Sequence, residues 1–166
     1  MQLDFAETLV GIAEIAVALA GFTGVVVAFG SRSRGSWHPG DRLRLSFLLE
    51  SSLTAGAFAL LTLVLLEVFP QATSIAWMTA STLWALFMPW SLYSSHRRIR
   101  DDLRKHADID RFPNHLVFVV FSALIVAQIA NALLWRQFAP LLAALCFNLA
   151  GAGMQFVRLI RSAFRE

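Results

Sequence analysis

The sequence predicts an all-α fold, a polytopic membrane helical bundle of about five transmembrane helices, with the N-terminus outside and the C-terminus in the cytoplasm. Three observations predict it. Of the 166 residues, 57% are hydrophobic and only 15% are charged, against roughly 45–50% and about 25% in soluble domains. A soluble globule of this size leaves too much surface exposed to hide that excess. Five apolar stretches reach the roughly 20 helical residues that a bilayer crossing takes. Thirteen of the fourteen basic residues then fall on one side of those stretches, and such a bias sets orientation.

The predicted spans are Phe5–Phe29, Leu43–Val68, Ile75–Ser95, Asn114–Trp135 and Ala139–Ile160. The first is followed by Arg32, Arg34, Arg42 and Arg44. The third is followed by Arg97, Arg98, Arg100, Arg104, Lys105 and Arg111, and the fifth carries Arg158, Arg161 and Arg165 at its end. On the other side stand Asp4, the uncharged turn "PQATS" and Arg136 alone. Trp77 and Trp135 match an outer aromatic belt, with Trp37, Trp90 and Tyr93 at the inner boundary. Pro89 bends the third helix without preventing a crossing. A rival arrangement has four spans, with the third or the last stretch lying on the surface. The short link "WRQFAP" predicts a tight antiparallel hairpin between the last two helices, and Pro140 suits a helix start.

The whole chain, residues 1–166, reads as one transmembrane domain with no connection longer than about twenty residues. A cleavable signal peptide is not expected, because "MQLDF" lacks a basic n-region. The single cysteine, Cys146, lies in an apolar run and forms no disulfide framework. The pI of about 10.0 reflects basic residues placed between spans, so it points to topology and not to nucleic acid.

The first helix carries two carboxylates in an otherwise apolar segment. At 100° per residue, Glu7, Gly11, Glu14, Ala18, Gly21 and Val25 share one narrow face. A second set, Ala16, Ala20, Gly24 and Ala28, repeats every four residues as a helix-packing seam. Small residues at that spacing let helices approach closely in lipid, either within the chain or between copies. Glu7 lies near the outer boundary, where water reaches it. Glu14 lies about 10 Å deeper along the helix. A carboxylate deep in the bilayer costs about 2.5–3.5 kcal/mol on insertion scales, so it must face protein or water.

Candidate partners occur at matching depths. Glu14, Gln128, Asn131 and Asn148 form a predicted outer layer; Glu50, Gln155 and Arg158 form an inner one. Two readings stay open. In one, the amides are interhelical glue and Arg158 pairs with Glu50, in bonds averaging about 0.6 kcal/mol. In the other, Glu7, Glu14, Glu50 and Asn148 mark a pore or ion pathway.

The predicted cytoplasmic rim gathers His38, His96, His106 and His115 in a dense mix of charges. A metal site from His96, His106 and Asp101 or Asp102 lacks any compact ligand motif, and no metal or cofactor is expected. An extended helix with internal ion pairs, lying against anionic lipid head groups, fits the rim better. Gly-x-Ser-x-Gly and phosphate-cradling glycine loops are missing as well, so the chain does not read as an enzyme.

The stretch "AEIAVALAGFTGVVVAFG", followed by "SRSRGSWHPGDRLRLSFLLESS", resembles small bacterial membrane proteins of unassigned function. The resemblance runs from Ala13 to Ser52. It implies a bacterial inner (cytoplasmic) membrane home and brings no activity with it. Taken together, the residues predict an oligomeric, cation-conducting membrane protein whose partners are the lipid bilayer, further copies of itself and small cations. The alternative is a non-catalytic interaction protein, either an accessory subunit or a lipid-binding scaffold. A third reading is a carrier or membrane enzyme using Glu14 or Glu50 as its proton or substrate site.

Overall fold

The computed structural model describes residues 4–29, 39–105 and 112–163, which are almost entirely helical and contain no strand. Five helices follow in order: α1 (Phe5–Phe29), α2 (Pro39–Val68), α3 (Thr73–Lys105), α4 (Phe112–Ala130) and α5 (Phe138–Ala163). A π-helical turn, Asn131–Trp135, continues α4. Each expected span lies within one of these elements. α3 runs ten residues beyond Ser95, as the charged rim sequence suggests.

Local chemistry sets the ends. Asp4 caps α1, its carboxylate accepting from the backbone N–H of Ala6 at 3.0 Å and of Glu7 at 3.4 Å. Glu7 in the first turn then complements the positive end of the helix. Pro39 opens α2 at a position where its missing N–H costs nothing. Past Val68, Pro70 turns the chain, and Ala72 N–H closes onto the Phe69 carbonyl at 3.1 Å before α3 begins. α3 accommodates Pro89 in its interior and continues.

α1, α2, α4 with its π turn, and α5 are long and apolar enough to cross a membrane. α3 has the length, but Thr, Ser, Trp and Pro in its apolar part and the charged run from Arg97 to Lys105 leave it less apolar than the others. Large apolar side chains stand exposed along these helices, among them Val17, Leu86, Val126 and Leu134, each at least 66% exposed. In water such a surface would aggregate; hydrocarbon is its natural solvent. The protein is a multi-pass membrane protein.

The chain divides into two compact units. The first holds α1, α2 as far as Leu60, and α5 from Leu145. The second spans Leu61–Ala144, with the end of α2, all of α3 and α4, and the start of α5.

Within the first unit, α1 buries Leu9, Ile12, Ala13, Ala16 and Thr23, an i, i+3, i+4, i+7 stripe. At Ala16 this face meets α2, where a Cβ added at Gly56 would stand 3.2 Å from the Ala16 Cβ. The contact is therefore closer than most side chains would allow, and glycine at position 56 permits it. The expected seam holds only in part. Steps of four residues rotate by 40° each, so Ala16 is buried while Gly24, two steps on, is exposed with nothing near its Cα hydrogens. Ala20 is half-buried between them, and the side chain of Ala28 lies outside the described residues.

In the second unit, α3 buries Ala76, Trp77, Ala80, Ser81, Trp84, Ala85 and Met88 on one face. Trp77 is a correction to the expected outer belt. It is only 4% exposed and packs on Phe138 at the start of α5, ring centroids 5.1 Å apart. Trp135, Trp90 and Tyr93 are exposed, as belt residues need to be; Trp37 lies outside the described residues.

Candidate functional site

The acid-bearing face of α1 points away from the packed one. Glu7, Glu14, Ala18, Gly21 and Val25 are all exposed, and Gly11 is half-buried. A Cβ at Gly11 or Gly21 would meet no atom within 4 Å beyond the neighbouring backbone of its own helix. Among the described residues neither Glu7 nor Glu14 makes a side-chain hydrogen bond or ion pair. The face thus combines an accessible carboxylate in mid-helix with a backbone open to close approach.

The other expected pathway residues do not join it. Asn148 is only 1% exposed, and neither its Nδ2 nor its Oδ1 has a partner among the described residues. Glu50 is half-buried and interacts with its surroundings. Gln155 and Arg158 are half-buried, and Arg158 forms no ion pair among the described residues, so the expected Glu50–Arg158 pair is absent. The tie at that end of the first unit is Asp41 instead. Buried at 3% exposure, its Oδ1 lies 2.9 Å from the Ser162 hydroxyl on α5 and 3.0 Å from Arg44. Asp41 reads in the sequence as one more charge beside a run of arginines, and only the approach of Ser162, 121 positions away, reveals its role.

The second unit holds a polar cluster at the α4–α5 hairpin. Asn131, fully buried, donates through Nδ2 to Ser81 Oγ on α3 at 2.8 Å and to the Gln137 carbonyl at 2.9 Å. Its Oδ1 accepts from the Gln137 N–H at 3.0 Å, and its carbonyl accepts from the Arg136 N–H at 2.7 Å. That last bond is the i to i+5 closure of the π turn. It holds Arg136 in the left-handed region at φ 51°, where a glycine is usual. One asparagine thus shapes the tight hairpin that the short link predicts.

One turn earlier on α4, Gln128 Nε2 donates to the Pro140 carbonyl at 2.7 Å. Its Oε1 has no partner among the described residues, and neither does Trp84 Nε1. Ser81 and Trp84 carry no signal in the sequence, since single serines and tryptophans are ordinary in apolar helices. Further along the same helix pair, Pro89, Leu92 and Tyr93 face Phe118, Ser122 and Ile125 across an apolar groove of about 350 Å³. Arg97 lies over the Tyr93 ring, 5.9 Å from its centroid.

Among the described residues no group of three or more His, Cys, Asp or Glu could hold a metal ion. The side chains of His38, His96, Asp101, Asp102, His106 and His115 lie outside those residues. Set against known protein families, curated proteins and solved structures, the chain matches none. The candidate site therefore rests on its own chemistry, an exposed carboxylate face on α1 beside small residues.

Proposed function

We propose that this is a bacterial inner-membrane protein that crosses the bilayer five times and self-associates through the acid face of α1, so that cations pass Glu14. The N-terminus lies outside and the C-terminus inside. The thirteen-to-one split of basic residues favours that orientation, and it requires an odd number of crossings. α3 supplies the fifth. Its 33 residues make a rod of about 50 Å, and it runs alongside α4, which is itself part of an apolar span.

One observation carries the reading. Glu14 is exposed in the middle of a 25-residue apolar helix, on the face opposite the one packed within the chain. A carboxylate turned toward lipid is unfavourable, so this face seeks water or another helix. Gly11, Ala18 and Gly21 leave room for that helix. Copies arranged about an axis would ring the passage with identical acids, a common means of cation selection.

Purified protein reconstituted in planar bilayers should carry a cation-selective current, and its mass in mild detergent should be a defined multiple of 18.4 kDa. A silent bilayer under all voltages and pH values removes conduction. Foreign subunits that co-purify at fixed ratio, with no homo-oligomer, support the accessory-subunit reading instead.

A further inference from the structure

Two buried atoms in the second unit lack hydrogen-bond partners among the described residues, and they are complementary. Trp84 Nε1–H can only donate and Gln128 Oε1 can only accept. Both side chains are fully buried. The Gln128 amide cannot turn round to change this. Its NH₂ faces the Pro140 carbonyl at 2.7 Å, and a flipped amide would set two acceptors against each other.

The helix register brings the two to one level. α3 and α4 run antiparallel, and the 2.8 Å bond between Ser81 and Asn131 fixes their alignment. Trp84 lies three residues beyond Ser81 on α3, and Gln128 lies three residues before Asn131 on α4. Each is thus displaced about 4.5 Å from that bond in the same direction. The groove farther along is lined by Pro89, Leu92 and Tyr93 of α3 and by Phe118, Ser122 and Ile125 of α4, in keeping with the same antiparallel alignment. Ser81, one turn from Trp84 on the same buried face, accepts from Asn131 and keeps its own hydroxyl proton to donate.

We propose that the α3–α4 pair binds one ordered water molecule between Trp84 and Gln128. The water accepts from Trp84 Nε1–H and Ser81 Oγ–H and donates to Gln128 Oε1. That supplies three partners, the usual number for a buried water, and answers both orphaned atoms at once. The polar cluster that begins at Gln137 and Asn131 then extends one turn deeper into the helix pair, independently of the α1 face.

The test uses the full-length protein in lipid bilayers with ¹⁵N-labelled tryptophan indoles. Solid-state NMR reads magnetisation transfer from water to each indole N–H, and Trp84→Phe identifies the Trp84 signal. The expected result is transfer to Trp84 despite its complete burial, lost in Gln128→Leu and in Gln128→Met. A Trp84 signal that receives nothing from water overturns the proposal. That holds also where the signal is shifted downfield, since Trp84 then donates directly to Gln128. Transfer that survives unchanged in both Gln128 variants overturns it as well.

Discussion

Asn131 Nδ2 lies 2.8 Å from Ser81 Oγ, joining α4 to α3 across fifty positions of sequence. The same amide clamps Gln137 through its N–H and its carbonyl, so one side chain fixes both a helix pair and a hairpin. Asn131→Leu keeps the number and branching of the side-chain heavy atoms, is somewhat bulkier, and removes every one of these side-chain bonds. It should destabilise the protein by about 1–3 kcal/mol, the cost of stranding buried polar groups. Ser81→Ala loses the bond from Asn131 and the proposed one to water, and about 1 kcal/mol is expected at about 0.6 kcal/mol each. Thermal or SDS-titrated unfolding of both variants checks the order; equal effects would remove Asn131 from its central place.

Asn148 predicts the opposite sign for the same substitution. Its amide is just as buried, yet Nδ2 and Oδ1 are both without partners among the described residues. Leucine there removes two unpaired polar atoms from the interior and adds apolar contact. Asn148→Leu should therefore be neutral or stabilising by about 1 kcal/mol. A loss of stability comparable with that of Asn131→Leu would mean that the Asn148 amide has a partner after all.

The Ala16–Gly56 contact predicts a compensating swap. Gly56→Ala brings two Cβ atoms, both fixed to helix backbones, to 3.2 Å, and overpacking of this kind costs about 1–3 kcal/mol. The better helix propensity of alanine offsets up to about 1 kcal/mol. Single effects are thus ambiguous, and the coupling decides. Ala16→Gly with Gly56→Ala should be more stable than the sum of the single variants by about 1 kcal/mol. Strictly additive effects would place these helices farther apart.

Much of this was legible from apolar runs and polar exceptions. Each predicted span lies within an observed helix, because the length of an apolar run needs no partner to be read. Gln128 and Asn131 stood out as amides in hydrocarbon. What stayed hidden is which group meets which. Ser81 and Trp84 became part of a polar cluster only through the alignment of α3 on α4. Asp41 is one acid beside a run of arginines, and nothing in its sequence setting points to Ser162. Trp77 had the composition of a belt residue, yet the start of α5 covers it with Phe138. The Ala16–Ala28 spacing described a stripe but not its drift, so it could not tell that Ala16 packs inward while Gly24 faces out.

That division of α1 into two faces gives the sharpest test of the proposed function. A leucine at Gly21 meets no atom within 4 Å at Cβ beyond the neighbouring backbone of its own helix, so the folded protomer should tolerate it. On an interface between copies the same leucine holds the backbones apart. Gly21→Leu should therefore leave thermal unfolding within about 0.5 kcal/mol of the parent while lowering the oligomer mass in mild detergent. Glu14→Gln separates charge from shape. The amide keeps the size and hydrogen-bonding capacity of the acid, and Glu14 is exposed, so assembly should survive. Cation current or selectivity should fall, because the ring of carboxylates that attracts the ion is gone. Paired recordings in planar bilayers and mass measurements on the same preparations read both effects. Equal currents from Glu14→Gln and the parent would take Glu14 out of the conduction path, and an unchanged mass in Gly21→Leu would take the α1 face out of the interface.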